Sequence, residues 1–169
     1  MNSYHVKVAA EAFAAALFAQ AGCDVSIQYG ANQPRYDLLA VQGDRVMKVS
    51  VKGSQDGSWG LTQKFIRDAD YQRAIDEWLV EQGQRLLFCL IQFKGVSLGE
   101  CPRAYLAKPT EIAARLRATA RGRGETILYE HKAWTARAHG AGTIDAVPSA
   151  WRFTSERLNG FFADAEVAS

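Results

Sequence analysis

The stretch RYDLLAVQGDRVMKVSVKGS, residues 35–54, predicts a β-hairpin around which the rest of the fold is arranged. Its two halves, YDLLAVQ and RVMKVSVK, are rich in the apolar and β-branched residues that favour strands. Gly43 and Asp44 lie between the halves and favour a two-residue turn. In that register Gln42 faces Arg45, and every later pair along the hairpin is fixed.

The same register brings two charged side chains together at the open end of the hairpin. Asp37 lies opposite Ser50, and Lys52 is diagonal to Asp37 on a face that Lys48 shares. Diagonal partners have Cβ atoms about 7 to 8 Å apart, so a carboxylate and an ammonium group can reach a common point. Two interpretations follow: an exposed ion pair worth about 0 to 1 kcal/mol, or a pair of groups that act on a ligand.

A further carboxylate lies in the first predicted helix, over residues 6–21. This segment is rich in alanine and other helix formers, and Gly22 follows where a helix would end. Glu11 is the only formally charged residue between Val8 and Cys23. Because an alanine-rich helix packs close to a sheet, Glu11 either faces solvent or points toward a ligand.

The remaining patterns predict an α/β fold with a mixed central β-sheet flanked by helices. Residues 85–93 have no polar alternation, which is typical of a central strand covered on both faces. Outside the hairpin we predict strands over 24–30, 85–93 and 103–107, and loops over 53–60 and 138–150. We also predict helices over 71–79, from Pro109 onward and after an N-cap at Thr154. The order αβββαββα and the composition, 48% hydrophobic and 22% charged, indicate a single domain over 1–169.

The net charge, the cysteines and the apolar segments bear on the partners and the cellular compartment of the protein. A net charge of +2 is too small to indicate a nucleic-acid partner by itself. The cysteines Cys23, Cys89 and Cys101 are odd in number and have no metal-ligand spacing, which favours a reducing cytoplasm. No segment approaches the roughly 18 to 20 apolar residues of a membrane span, so we predict no membrane association.

Positive charge is nevertheless concentrated between residues 103 and 137. Arg117 and Arg121 are predicted to share a helix face, and Arg123 follows in the sequence RGRG. This surface either binds phosphate or is a solvated basic face. In the loop predicted over 53–60, Trp59 either stacks on a base or packs over the edge of the core. Lys64, just beyond this loop, is a candidate contact to phosphate.

The order of these features resembles that of the PD-(D/E)XK nuclease superfamily. The resemblance rests on an acidic residue in the first helix, YDLLAV on one strand and VSVKGS on the next. The later segments LLFCLIQF, PRAYLAKPTEI and VPSAWRF are similar to downstream segments of small members of the superfamily. The resemblance implies a restriction-endonuclease-like αβββαβ core and a Mg²⁺-dependent or Mn²⁺-dependent endonuclease that acts on DNA, in some members as a homodimer.

The resemblance also assigns roles to residues of this chain. It implies that Asp37 and Glu11 bind the metal, helped by the carbonyl group of Val51, and that Lys52 assists the nucleophile. Ser50 stands where the superfamily usually has Glu, Asp or sometimes Gln, so its contribution to catalysis is weaker than a carboxylate's. The substitution leaves a second interpretation open: a degenerate nuclease fold that binds nucleic acid or a protein partner as a scaffold. Lys48, Lys64, Arg117, Arg121 and Arg123 are the candidate nucleic-acid contacts.

Overall fold

The computed structural model of the chain describes residues 1–28, 35–83 and 85–167. The helices in these ranges are α1 (Ser3–Gln20), α2 (Tyr71–Val80), α3 (Pro109–Ala118) and α4 (Ser155–Val167). The strands are β1 (Asp24–Ile27), β2 (Leu38–Gln42), β3 (Arg45–Ser54), β4 (Ser58–Gly60), β5 (Leu86–Gln92), β6 (Arg103–Ala107), β7 (Ile127–Tyr129), β8 (His131–Ala133) and β9 (Ile144–Ala146).

A five-stranded mixed sheet in the order β1-β2-β3-β5-β6 forms the centre of the fold. Strands β3 and β5 are parallel, and the other neighbouring pairs are antiparallel. The predicted α/β class with a central mixed sheet is therefore confirmed. The hairpin register is also confirmed along the ladder, which runs from Gln42 opposite Arg45 to Leu38 opposite Val49.

Helices cover both faces of the sheet, and the central strand β5 is buried along its whole length. One core lies between the sheet and α1 with α4, and contains Met47, Val49 and Val51 of β3. The other core lies between the sheet and α2 with α3, and contains Trp78 of α2 and Phe88 of β5. Alternate residues of β3 thus face α1, while Lys48, Ser50 and Lys52 face the side of α2.

Helix α1 lies unusually close to β3. A Cβ atom at Gly53 would be 2.7 Å from the Cβ of Ala10 and 2.9 Å from the carbonyl oxygen of Val6. The buried stripe of α1 is Val6, Ala10, Ala14 and Phe18, which leaves the larger Phe13 and Leu17 off it. The small residues are turned toward the sheet because only they allow this approach, and Phe13 and Leu17 pack at its margin.

Two segments predicted as loops contain strand pairs. Within 53–60, β3 continues to Ser54 and β4 pairs with β7, while within 138–150 β9 pairs with β8. Of the strand predicted over 24–30, β1 accounts for Asp24–Ile27, and residues 29 and 30 lie outside the described residues. The N-cap of α4 is confirmed, since the Thr154 hydroxyl accepts a hydrogen bond from the N–H of Arg157 at 3.1 Å. None of the described helices has the length and apolar character needed to cross a membrane.

Candidate active site

Asp37 lies where strands β2 and β3 diverge. Strand β2 begins at Leu38, whereas β3 continues past the end of the ladder to Ser54, so the later part of β3 has no backbone partner on that edge. The Asp37 carboxylate occupies this gap. Its Oδ2 accepts a hydrogen bond from the N–H of Val51 at 2.6 Å and one from the Ser50 hydroxyl at 3.4 Å.

Lys52 lies beside Asp37 but forms no ion pair with it. Among the described residues, the Lys52 ammonium group has no hydrogen-bond or ion-pair partner, although its backbone carbonyl accepts a hydrogen bond from the indole of Trp59 at 3.0 Å. The simpler interpretation of the hairpin, an exposed salt bridge between Asp37 and Lys52, is therefore wrong. The positive charge of Lys52 remains directed into open space.

Two adjoining depressions meet at these residues and form one cleft. The Lys7 depression, of about 510 Å³, and the Glu81 depression, of about 320 Å³, are each named after a residue that lines only that one. Asp37, Lys52 and Gly60 line both. The Asp37 and Lys52 side chains therefore lie at the middle of the cleft, where the two depressions join.

Glu11 lies on α1, which covers the other face of the sheet, and it lines neither depression. Its side chain is only 15% exposed, and its Oε1 is buried without a hydrogen bond, with the Lys7 ammonium group 3.7 Å away. Burial raises the pKa of Glu11, and the negative charge of Asp37 raises it further, while Lys7 and Lys52 act in the opposite direction. Glu11, Asp37 and Lys52 are thus close enough to interact electrostatically.

This arrangement offers a small set of oxygen ligands for a divalent cation. Because the N–H and C=O groups of one strand residue point to the same edge, the Val51 carbonyl faces the side on which its N–H meets Asp37. Together with Glu11, this gives two carboxylates and one carbonyl group. Mg²⁺ is commonly held by one or two carboxylates, with water and substrate oxygens completing its shell. Across the described ranges, no group of three or more His, Cys, Asp or Glu side chains has metal-binding geometry.

The two candidate lysines for nucleic-acid contact lie on the α2 side of the sheet. Lys64 lines the Glu81 depression and forms an ion pair with Glu81 at 2.9 Å. Lys48 is exposed, lies outside both depressions, and places its ammonium group 5.6 Å from the centre of the Tyr36 ring. Of the two, only Lys64 belongs to the cleft.

The three candidate arginines lie outside the cleft, and the prediction that Arg117 and Arg121 share a helix face is wrong. Helix α3 ends at Ala118, and Ala120 adopts a positive φ of 53° while its N–H donates to the buried carboxylate of Asp145 at 2.9 Å. This bond directs the chain out of the helix before Arg121.

Each of these arginines has a partner within the protein. Arg117 pairs with the carboxylate of Asp76, Arg121 donates to the carbonyl group of Ala141, and Arg123 lies 3.5 Å from the carboxylate of Glu125. The partners come from α2 or from later loops, so the local excess of positive charge in the sequence is largely offset in the fold.

Trp59 packs into the core and does not offer a stacking surface. Its side chain is 3% exposed, it lies edge-on to the ring of Tyr105, and its indole N–H donates to the carbonyl groups of Lys52 and Ile91. The interpretation of Trp59 as a core residue is therefore correct, and the base-stacking interpretation is wrong. By bonding to β3 and β5 together, Trp59 holds the two strands at the level of the cleft.

Sequence reasoning missed several residues that line the cleft. Lys7 precedes Glu11 by four residues, a spacing that places both on one face of a helix and was available from the sequence. Arg35 and Glu81 are 46 residues apart yet form an ion pair, and nothing in the local sequence of either residue indicated that contact.

Comparisons with known proteins leave the cleft to be interpreted from its own residues. No protein-family model, no curated protein and no solved structure matches the chain.

Proposed function

We propose that the protein is a Mg²⁺-dependent phosphodiesterase that cleaves DNA, with its active site at Asp37, Lys52 and Glu11. The observation that carries the proposal is that Asp37 and the unpaired Lys52 line the middle of the cleft, where β2 and β3 diverge, with the half-buried carboxylate of Glu11 on the α1 side of the sheet. Asp37 and Lys52 also occupy the positions of the PD-(D/E)XK motif that the sequence resembles. The order of α1, β1, β2, β3, α2 and β5 agrees with the αβββαβ core that the resemblance implies, with the short strand β4 inserted between β3 and α2.

The metal site would consist of Asp37, Glu11 and the carbonyl oxygen of Val51, and it would accept Mg²⁺ or Mn²⁺. When bound, the ion would polarise the scissile phosphate and lower the pKa of a coordinated water molecule. The buried Oε1 of Glu11 supports this assignment, because it accepts no hydrogen bond and has only the Lys7 ammonium group at 3.7 Å as an ion-pair partner, so a bound cation would stabilise it further. The raised pKa of Glu11 supports it as well, since a cation would offset both burial and the charge of Asp37.

The remaining side chains would position the substrate and stabilise charge. Lys52 has no internal partner, so its ammonium group is available to the phosphate and to the negative charge that develops on it during cleavage. Ser50 would orient the Asp37 carboxylate through its hydroxyl group and would not itself hold the ion. The Val51 N–H would fix the other side of the same carboxylate.

The substitution at position 50 favours a second candidate function. Asp37 accepts two hydrogen bonds from β3, and Ser50 adds no charge, so the site has fewer anionic ligands than the related motif usually provides. The second candidate is accordingly a nuclease fold that binds nucleic acid or a protein partner without cleaving it.

We also infer that the protein works in the cytoplasm, and the family resemblance implies a homodimer that acts on two strands. The thiol groups of Cys23, Cys89 and Cys101 are all free, and two of them are buried, which suits a reducing compartment.

A cleavage assay separates the two functions. Supercoiled plasmid and single-stranded oligonucleotides are incubated with the protein and Mg²⁺ or Mn²⁺, with EDTA in parallel. We expect metal-dependent cleavage by the parent. We expect Lys52→Ala to lose this activity, because without the Lys52 ammonium group the negative charge on the phosphate is no longer stabilised. Lys132→Ala, which changes a lysine of β8 outside the cleft, is the matched control and keeps the activity of the parent.

The results have distinct meanings. Cleavage that persists in folded Lys52→Ala removes Lys52 from the mechanism. DNA binding without cleavage under any divalent ion supports the binding function in place of the enzyme. Circular dichroism spectra of both variants establish that each one is folded before its activity is compared.

A further inference from the structure

The Glu81 depression contains two cations that converge on one carboxylate. The Lys64 ammonium group lies 2.9 Å from the Oε2 of Glu81, and the Arg35 guanidinium lies 3.6 Å from the same atom. Arg35 also donates to the backbone carbonyl of Glu81. The side chains of Lys64 and Arg35 are 67% and 69% exposed, so this group of charges is open to a ligand.

This charge cluster is part of the cleft. Arg35, Lys64 and Glu81 line the same depression as Asp37 and Lys52. A nucleic-acid strand whose scissile phosphate lay between Asp37 and Lys52 would bring a neighbouring phosphate into this depression. That phosphate would meet the two cations and the one anion between them.

The C-terminal end of α2 is an unfavourable position for the negative charge of Glu81. Glu81 is the C-cap residue of α2, where the helix dipole is negative. Its charge is stabilised there by Lys64 and Arg35 and not by the helix. A phosphate group presents the same kind of anionic oxygen to the two cations and, unlike Glu81, it can lie at a distance from the helix end.

We propose that Glu81 takes the place of a backbone phosphate in the free protein, and that DNA displaces it from Lys64 and Arg35 on binding. Glu81 thereby lowers the affinity of the cleft for nucleic acid and disfavours anions that cannot displace it. This inference rests on the proposed function only in taking the cleft as the nucleic-acid site. It does not require that the site cleaves DNA.

The test measures binding without catalysis. Fluorescence anisotropy of a labelled single-stranded DNA oligonucleotide is recorded in EDTA over a series of salt concentrations. We expect Glu81→Gln to lower the Kd about threefold to tenfold at low salt, because the two cations no longer have a competing carboxylate. The slope of log K against log salt is expected to stay close to that of the parent, because the same phosphate contacts form in both complexes.

Glu77→Gln is the matched control, because it makes the same change of net charge one helical turn earlier. The Glu77 side chain is 39% exposed, as is that of Glu81, but it pairs with Arg73 and lies outside both depressions. Glu77→Gln is expected to bind DNA like the parent. Lys64→Ala in the Glu81→Gln background is expected to remove most of the gain.

Three results would overturn the inference: an unchanged Kd in Glu81→Gln, an equal gain in Glu77→Gln, or no DNA binding by any of the proteins. The cleavage assay tests the proposed function separately. Tighter binding by Glu81→Gln without cleavage by any variant would leave the inference standing and remove the phosphodiesterase. Cleavage by the parent with unchanged binding in Glu81→Gln would support the phosphodiesterase and overturn the inference about Glu81.

Discussion

The substitution Gly53→Ala tests the close contact between α1, which carries Glu11, and β3. The new methyl group would lie 2.7 Å from the Cβ of Ala10, 2.9 Å from the carbonyl oxygen of Val6 and 3.0 Å from a methyl group of Val6. A Cβ and a backbone atom form the two shortest of these contacts, so rotation of a flexible side chain cannot relieve them. Overpacking of this kind typically costs about 1 to 3 kcal/mol.

A smaller effect acts in the opposite direction. Replacing Gly by Ala reduces the conformational entropy of the unfolded chain, which favours the folded state by about 0.4 to 1 kcal/mol. We therefore expect Gly53→Ala to lower the free energy of unfolding by about 1 to 2 kcal/mol. For a protein of this size that corresponds to a fall in Tm of about 2 to 8 °C.

Gly160→Ala provides the matched control. Gly160 lies at an exposed position of α4, and a Cβ atom there would meet nothing within 4 Å. Because alanine is the better helix former, this variant is expected to gain about 0.5 to 1 kcal/mol. Guanidinium unfolding followed by circular dichroism measures both variants. If Gly53→Ala unfolds at the same or a higher denaturant concentration than the parent, α1 does not pack on β3 as closely as described.

Three further variants probe the cleft itself. Asp37→Ala leaves the N–H of Val51 without its acceptor and is expected to lower the free energy of unfolding, measured by chemical denaturation, by about 1 to 3 kcal/mol. Asp37→Asn keeps an acceptor and is expected to lower it less, and equal losses in the two variants would contradict the role of that hydrogen bond. Ser50→Glu adds a carboxylate beside Asp37, so the Tm of the variant without metal is expected to be lower than that of the parent. Adding Mg²⁺ is expected to raise the Tm of the variant more than the Tm of the parent, and no effect of metal on either protein would rule out a metal site here. Glu11→Gln is expected to stabilise the metal-free protein at neutral pH, because the raised pKa of Glu11 means that its ionised form is disfavoured by folding. The gain is expected to vanish below the ordinary pKa of 4.5, where Glu11 is protonated in both states, and unfolding curves at several pH values that show the same gain throughout would contradict this explanation.

The hairpin was predictable because its information is local. A two-residue turn at Gly43 and Asp44 fixes the pairing, and the alternation of side chains then places Ser50 and Lys52 on one face. Glu11 was singled out for a related reason, since a lone charge in an alanine-rich helix has few surroundings that suit it. Its buried position beside the charge of Asp37 agrees with that reasoning.

The features that sequence reasoning missed depend on contacts between distant residues. Strand β4 forms because its partner β7 begins at Ile127 and because the Trp59 side chain finds a buried site, and neither condition is visible in GSQDGSWG. Helix α3 ends early because Asp145 accepts the N–H of Ala120. Arg117 meets the carboxylate of Asp76 and Arg121 the carbonyl group of Ala141, both from distant parts of the chain, so a count of charges along the chain overestimated the free positive surface.

The central position of β3 in the sheet has a consequence for synthesis of the chain on the ribosome. The candidate site draws its side chains from residues 11–52, which precede β5 in the chain and therefore leave the ribosome before it. Strand β3, however, pairs along its length with β5, which ends at Gln92 and lies beyond the crossover through α2. A nascent chain therefore exposes Glu11, Asp37 and Lys52 well before it has the strand that holds them in place. During that interval these residues are present but unassembled, which delays any reaction at the cleft until the parallel pair has closed.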